Sequence, residues 1–131
     1  MAYDIVIEVE NKPGELAKIA AAVSDAGVNL AGATFIGGEH TAELHILVPH
    51  VEPVRHALSI THADFHVRDH EVVVVEVEDN PGVLADLTRE IAEHGVNIDT
   101  IYVATNNRVV FGSSDIAGLR EALKDHASHL R

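Results

Sequence analysis

Over the first ten residues, Tyr3, Ile5, Ile7 and Val9 alternate with Asp4, Val6, Glu8 and Glu10, which predicts a strand with one well-buried face. Pro13-Gly14 breaks that strand and opens a helix, in which Leu16, Ile19, Ala20 and Val23 recur at helical spacing as one apolar stripe. Gly27 fits the position just past a helix, where a left-handed conformation ends it at little cost. A second strand from Val28 to Ile36 runs to a hairpin turn at Gly37-Gly38. Ala42, Leu44, Ile46 and Val48 then alternate with Thr41, Glu43, His45 and Leu47 as a third strand, which Pro49 stops. Val51, Val54 and Leu58 predict a short helix, and Phe65 and Val67 a brief fourth strand. The order β-α-β-β-α-β is the ferredoxin-like unit, an α+β fold with an antiparallel sheet and helices on one face. The other face is expected to stay free for water or a partner.

The pattern then starts again. Residues 8–30 read EVENKPGELAKIAAAVSDAGVNL and residues 76–98 read EVEDNPGVLADLTREIAEHGVNI, at a constant offset of 68. Pro13-Gly14 and Gly27-Val28-Asn29 recur as Pro81-Gly82 and Gly95-Val96-Asn97, so the residues repeated are those that turns require. In the second copy Val73, Val75 and Val77 predict the first strand, and Leu84, Leu87 and Ile91 the first helix. A second strand is expected over Val96–Ala104, a turn at Asn106-Asn107, a third strand over Val109–Phe111, and a last helix carrying Ile116, Leu119 and Leu123. Two tandem units are therefore expected, over residues 1–69 and 70–131. The final strand of the second should start near Leu130 and be a stub, leaving a sheet edge that could recruit a partner chain.

The segment "strand, Asn/Asp-x-Pro-Gly-x-Leu-Ala, helix, Gly-Val-Asn-Ile/Leu, strand" resembles the ACT domain, the small-molecule-sensing module of amino-acid metabolism. The resemblance covers nearly the whole chain as two copies. It implies modules that pair side by side and bind effectors at the seam, through the turn before the first helix and the start of the second strand. Carried onto this chain, the first candidate site is Asn11, Pro13, Gly14, Glu15, Leu16 and Asn29, and the second is Asp79, Pro81, Gly82, Val83, Leu84 and Asn97. The chemistry is suitable: a helix N-terminus presents unpaired N–H groups and a positive dipole end to a carboxylate. An asparagine carbonyl can accept from an α-ammonium. The plainer role of Asn11 and Asp79 is to cap the helix, and of Asn29 and Asn97 to brace a turn. Asp79 would repel a carboxylate that Asn11 tolerates, which favours the first copy for ligand binding.

Charge narrows the partners further. A formal net charge of −12, with nine lysines and arginines scattered along the chain, argues against binding nucleic acid or an anionic membrane surface. No cysteine is present, so disulfides and thiolate metal sites are excluded. No apolar run approaches the ~20 residues that span a bilayer, and nothing at the N-terminus reads as a secretory signal, so a cytoplasmic protein is expected. Ten histidines raise the question of a metal. His62, His66 and His70 are four apart, but along a strand a four-residue step is ~13 Å, too far for one ion. His126 and His129 are three apart and would share a helix face, while His45, His50, His56 and His94 show no partner at ligand spacing. Solvated or capping histidines, and no metal or cofactor, are expected.

No nucleophile elbow, metalloprotease motif, P-loop or dinucleotide fingerprint occurs. The Glu8/Glu10 and Glu76/Glu78 pairs sit at strand spacing on the polar face, where nothing separates their acidities for acid–base work. The expected function is a stand-alone, non-catalytic regulatory module. It would bind an amino acid or similar metabolite and act as a homo-oligomer, a dimer, or on a separate metabolic enzyme. The alternatives are an assembly subunit with vestigial pockets and a small enzyme on the open sheet face.

Overall fold

Gly14 and Gly82 hold φ angles of 91° and 90°, a left-handed turn that a β-carbon makes costly, and a helix begins at the next residue in each case. These turns fix the start of two equivalent helices in the computed structural model, which describes residues 2–61 and 65–126. The elements are β1 (Ala2–Glu10), α1 (Glu15–Asp25), β2 (Ala33–Gly37), β3 (Thr41–Val48) and α2 (Glu52–Ser59), then β4 (His66–Glu76), α3 (Val83–Glu93), β5 (Thr100–Ala104), β6 (Arg108–Gly112) and α4 (Ile116–Leu123). Gly27 and Gly95, at φ 69° and 71°, end α1 and α3 as the sequence predicts. Asn106 and Asn107, at φ 62° and 55°, form the β5–β6 turn. The second strand begins later than expected in each unit, at Ala33 and at Thr100.

All six strands form one antiparallel sheet in the order β2-β3-β1-β4-β6-β5. The two units are joined within a strand. The predicted fourth strand of the first unit and first strand of the second are both part of β4. Its residues 66–72 pair with β1 and its residues 73–76 with β6. The expected boundary between residues 69 and 70 falls inside this strand. Arg55 of α2 donates to Asp69 at 2.9 Å, and Arg120 of α4 pairs with Glu71, so a helix from each unit is tied to the same strand. The stub strand expected near Leu130 lies outside the described residues.

On the helix side, Ile5, Ile7, Leu44 and Ile46 pack against Ile19 and Val23 of α1 and Val54 and Leu58 of α2. Val73, Val75, Val109 and Phe111 do the same against Leu87, Ile91, Leu119 and Leu123. Burying each such side chain stabilises the fold by ~1.5–3 kcal/mol.

The opposite face departs from expectation. It is not open: Ala2, Leu47, Val72, Val74, Tyr102, Ala104 and Val110 are buried there as a third cluster. The sheet curls until its two edge strands touch. Gly32 and Ala104 form an isolated antiparallel bridge, and the Thr105 N–H donates to the Ala31 carbonyl at 2.9 Å. Strand twist, accumulated over six strands, lets one face fold inward and exclude water without a covering layer of helices.

Candidate functional site

The helix-opening turns carry most of the candidate residues. Neither helix has a side-chain cap, so Asn11 and Asp79 are not helix caps. Asn11 instead braces the β2–β3 hairpin: its Nδ2 donates to the Gly38 carbonyl at 2.6 Å and its N–H to the His40 carbonyl at 2.9 Å. Pro13 and Gly14 are exposed beside it. Glu15 is largely buried, and its Oε1 accepts from Lys18 Nζ at 3.0 Å with Lys12 Nζ 3.9 Å away. In the first unit, then, the hairpin and two lysines already engage Asn11 and Glu15. Leu16 belongs to an apolar groove between α1 and β2, with Val23, Leu30, Phe35 and Leu44 among its walls.

The second unit is different. Asp79, Val83 and Leu84 line a groove of about 200 Å³ with Val77, Glu78, Asn80, Leu87, Val103, Asn107, Arg108 and Val109. That is below the usual ~300–1,000 Å³ of a drug-sized pocket, and so suits a smaller molecule. Pro81 and Gly82 are exposed at the adjoining turn. Arg108 donates from Nε to the Thr105 carbonyl at 2.8 Å and from an Nη to Thr105 Oγ1 at 2.9 Å. Among the described residues it has no carboxylate partner. The groove therefore presents an oriented guanidinium, the acids Glu78 and Asp79, and an apolar wall. The sequence does not single out Arg108; its place at the start of β6, three residues past Thr105, tells only once the β5–β6 turn is built.

Asn29 and Asn97 do not join these turns within their own units. Each lies beyond the far end of an eleven-residue helix, ~16 Å from its start. Asn97 Nδ2 donates to Asp99 at 2.9 Å and its carbonyl accepts from Ser113 Oγ at 2.6 Å, a local brace. Asn29 leads into Ala31, whose carbonyl accepts from both Thr105 N–H and Thr105 Oγ1 at 2.9 Å. Through this contact the start of the first unit's second strand abuts the turn that carries Arg108.

A second polar centre lies inside the curled sheet. Asp4 is completely buried, yet it accepts from Tyr102 Oη at 2.8 Å and pairs with His45 Nδ1 at 2.7 Å. His70 Nε2 stands 3.4 Å from the same carboxylate. The expectation that His45 has no acidic partner is thus corrected: β1 and β3 lie side by side, with His45 opposite Val6, two residues from Asp4. Burial first, and then the Asp4 charge and hydrogen bond, push the Tyr102 hydroxyl far above its ordinary range, so it stays a neutral donor. His94 Nδ1 lies 2.9 Å from the Glu90 carbonyl, in line with a capping role, and His126 pairs with Glu90 at 3.1 Å. His66 and His70 do lie on a strand, β4. His62 and His129 lie outside the described residues, among which no group of three or more potential ligands could hold a metal ion.

Residues 72–127 match the family model described as "ACT domain". The match falls on the second unit. Three solved structures share the architecture over most of the chain. A protein from Bacteroides thetaiotaomicron is 27% identical at a TM-score of 0.83, with 94% of this chain and 86% of that one covered. The ligand-free regulatory subunit of aspartate kinase from Thermus thermophilus is 20% identical at a TM-score of 0.66, with coverage of 94% and 90%. A structure of aspartokinase alpha and beta subunits is 22% identical at a TM-score of 0.63, with coverage of 94% and 93%. No curated protein matches the sequence. The first unit repeats the ACT motif at the offset of 68, so the tandem α+β arrangement expected from sequence is the one observed. Among the described residues no helix is long and apolar enough to cross a membrane.

Proposed function

We propose that the chain is a non-catalytic, cytoplasmic regulatory module that binds a free amino acid or a similarly small zwitterion. The observation that carries this reading is the mixed-charge groove at the start of α3. Arg108 there is oriented by Thr105 and has no carboxylate partner among the described residues, while Glu78 and Asp79 line the same small volume. A carboxylate fits the guanidinium and the positive end of α3, and an ammonium fits the two acids. Leu84 and Val103 offer an apolar wall to a side chain. Pro81 and Gly82 contribute the turn beside this groove and Asn11, Pro13, Gly14, Glu15 and Leu16 its counterpart in the first unit, while Asn29 and Asn97 lie beyond the far ends of their helices.

The first unit favours a different use of the same place. Its groove is apolar, and Leu16, Leu30 and Phe35 are 40%, 42% and 37% exposed beside it. That surface suits a second copy of the chain or a separate metabolic enzyme, through which binding in the other unit would be reported.

A thermal-shift series with each of the twenty amino acids tests the reading. A true ligand at a concentration ~100 times its dissociation constant adds about 2.7 kcal/mol of stability. No shift with any of them at millimolar concentration would leave the assembly role alone, to be read from sedimentation of the free chain.

A further inference from the structure

Asp4 is wholly buried on the inner face of the sheet, and the groups that reach its carboxylate come from three other strands. His45 belongs to β3, His70 to β4 and Tyr102 to β5. The Tyr102 bond joins residues 98 apart and crosses from the second unit into the first, close to the place where β2 and β5 touch.

The internal duplication provides a control. At the offset of 68, Asp4 corresponds to Val72 and Tyr102 to Thr34. His45 stands opposite Val6 and Val110 stands opposite Val74, the repeat of Val6, so His45 corresponds to Val110. The second copy of this location is therefore built of two valines and a threonine, and both valines are buried in an apolar cluster. The fold has no need of ions here. Apolar packing at such a place is commonly as stable as a buried ion pair, or more so. A carboxylate and an imidazole kept in one copy alone point to a role other than holding the sheet together.

We infer that Asp4, His45 and Tyr102 form a proton-operated latch, which clasps the β2 and β5 edges together while His45 is protonated and loosens when it is not. With His45 cationic, the buried carboxylate faces a balancing charge as well as two donors. Neutral His45 can still donate one hydrogen bond but balances nothing, and a buried charge without a counter-charge is costly.

The surroundings set the direction. The hydrogen bond to Asp4 raises His45 above its ordinary 6.5; desolvation opposes this, and the charges of Asp4 and Glu43 add to it while Arg68 subtracts. Arg68 is itself paired with Glu43, which moderates its effect. The groups facing His45 are thus Asp4 from β1, Glu43 from β3, Arg68 and His70 from β4 and Tyr102 from β5. On β2 the opposing residue is Thr34, which does not titrate. A histidine raised by folding contributes stability that is complete below pH 6.5 and lost as pH rises through the folded value. The latch is closed on the acid side and opens as pH rises through the raised His45 value.

Two measurements on the native chain decide the matter. The His45 ring is titrated by NMR, and amide-exchange protection is followed at Thr105, whose N–H reaches Ala31 across the contact. Protection is corrected for the intrinsic pH dependence of exchange and compared with Ile91 in α3. The latch requires a His45 midpoint above 6.5, and protection at Thr105 that falls ~10-fold per unit of that elevation, relative to Ile91, as pH passes the midpoint. In His45→Gln, which keeps a donor but no proton equilibrium, protection at Thr105 should no longer vary with pH. Tyr102→Phe should lower it equally at every pH. A midpoint at or below 6.5 overturns the inference, as does pH-independent protection in the native chain or an unchanged pH slope in the glutamine variant. Should either variant fail to fold, the native-chain measurements alone confirm or refute it.

Discussion

Gly32 lies so close against Ala104 that a β-carbon on residue 32 would stand 2.7 Å from the Ala104 β-carbon and 3.2 Å from its α-carbon. This contact is where the curled sheet meets itself, and it leaves no room for any other side chain at position 32. Gly32→Ala should destabilise the chain by ~1–3 kcal/mol through overcrowding. The reverse pair, Gly32→Ala with Ala104→Gly, should recover most of that loss in urea denaturation. A single variant with native stability would mean that the edges do not touch in solution.

Tyr102→Phe removes one of the two donors on a carboxylate that no water reaches. The expected loss is ~1–3 kcal/mol, the usual penalty for leaving a buried acceptor one partner short. Thr34→Val, at the equivalent position in the first unit, should change the unfolding free energy by less than ~0.5 kcal/mol, as exposed or half-exposed substitutions usually do. Chemical denaturation of both variants at one pH makes the comparison.

Gly14→Ala and Gly82→Ala should each cost ~1–2 kcal/mol, because both residues hold a left-handed backbone that a β-carbon opposes. Nothing lies within 4 Å of either position, so the penalty is conformational and not steric crowding from neighbours. The two sites share no contact, and the double variant should lose the sum of the two. An additive result by equilibrium unfolding would show that the two turns act independently.

Arg108→Ala should weaken binding of the stabilising amino acid by at least ~10-fold, the loss of a charge-assisted hydrogen bond of ~1.5–3 kcal/mol. Arg89→Ala, on the exposed face of α3 and paired with Asp86, is the matched control and should bind as the native chain does. Calorimetric titration of both distinguishes a role in the groove from a general effect of charge.

The elements were readable from sequence because local rules set them. Pro-Gly opened the helices, Gly27 and Gly95 closed them, and alternation in Tyr3–Val9 assigned Ile5 and Ile7 to the helix side, where they are buried. The curl was not readable. Alternation shows that Asp4 and Val6 share a face, but not whether that face meets water. An aspartate there reads as solvent-exposed, although Asp4 and Val6 are both fully buried. Its partners lie 41 and 98 residues away, separations at which no spacing rule applies. The same limit hid Arg108, which enters the groove only because the β5–β6 hairpin folds back beside the β4–α3 turn. By contrast the Pro-Gly turns, which are local, were located correctly, and the structure shows what the residues around them touch.

The continuity of β4 bears on how one half of the molecule could inform the other. A protein whose domains are joined by a loop can signal by rotation about a hinge. Here no loop separates the halves: residues 66–72 and 73–76 are consecutive stretches of one pleated ribbon, with Arg55 and Arg120 both gripping it on the helix side. Any strain that a ligand imposes on β6 reaches β1 as a change in the twist of that ribbon, without a pivot in between. Severing the chain between residues 69 and 70 would therefore not release two working halves. It would divide the ribbon and leave each part with a raw edge to be filled by another molecule.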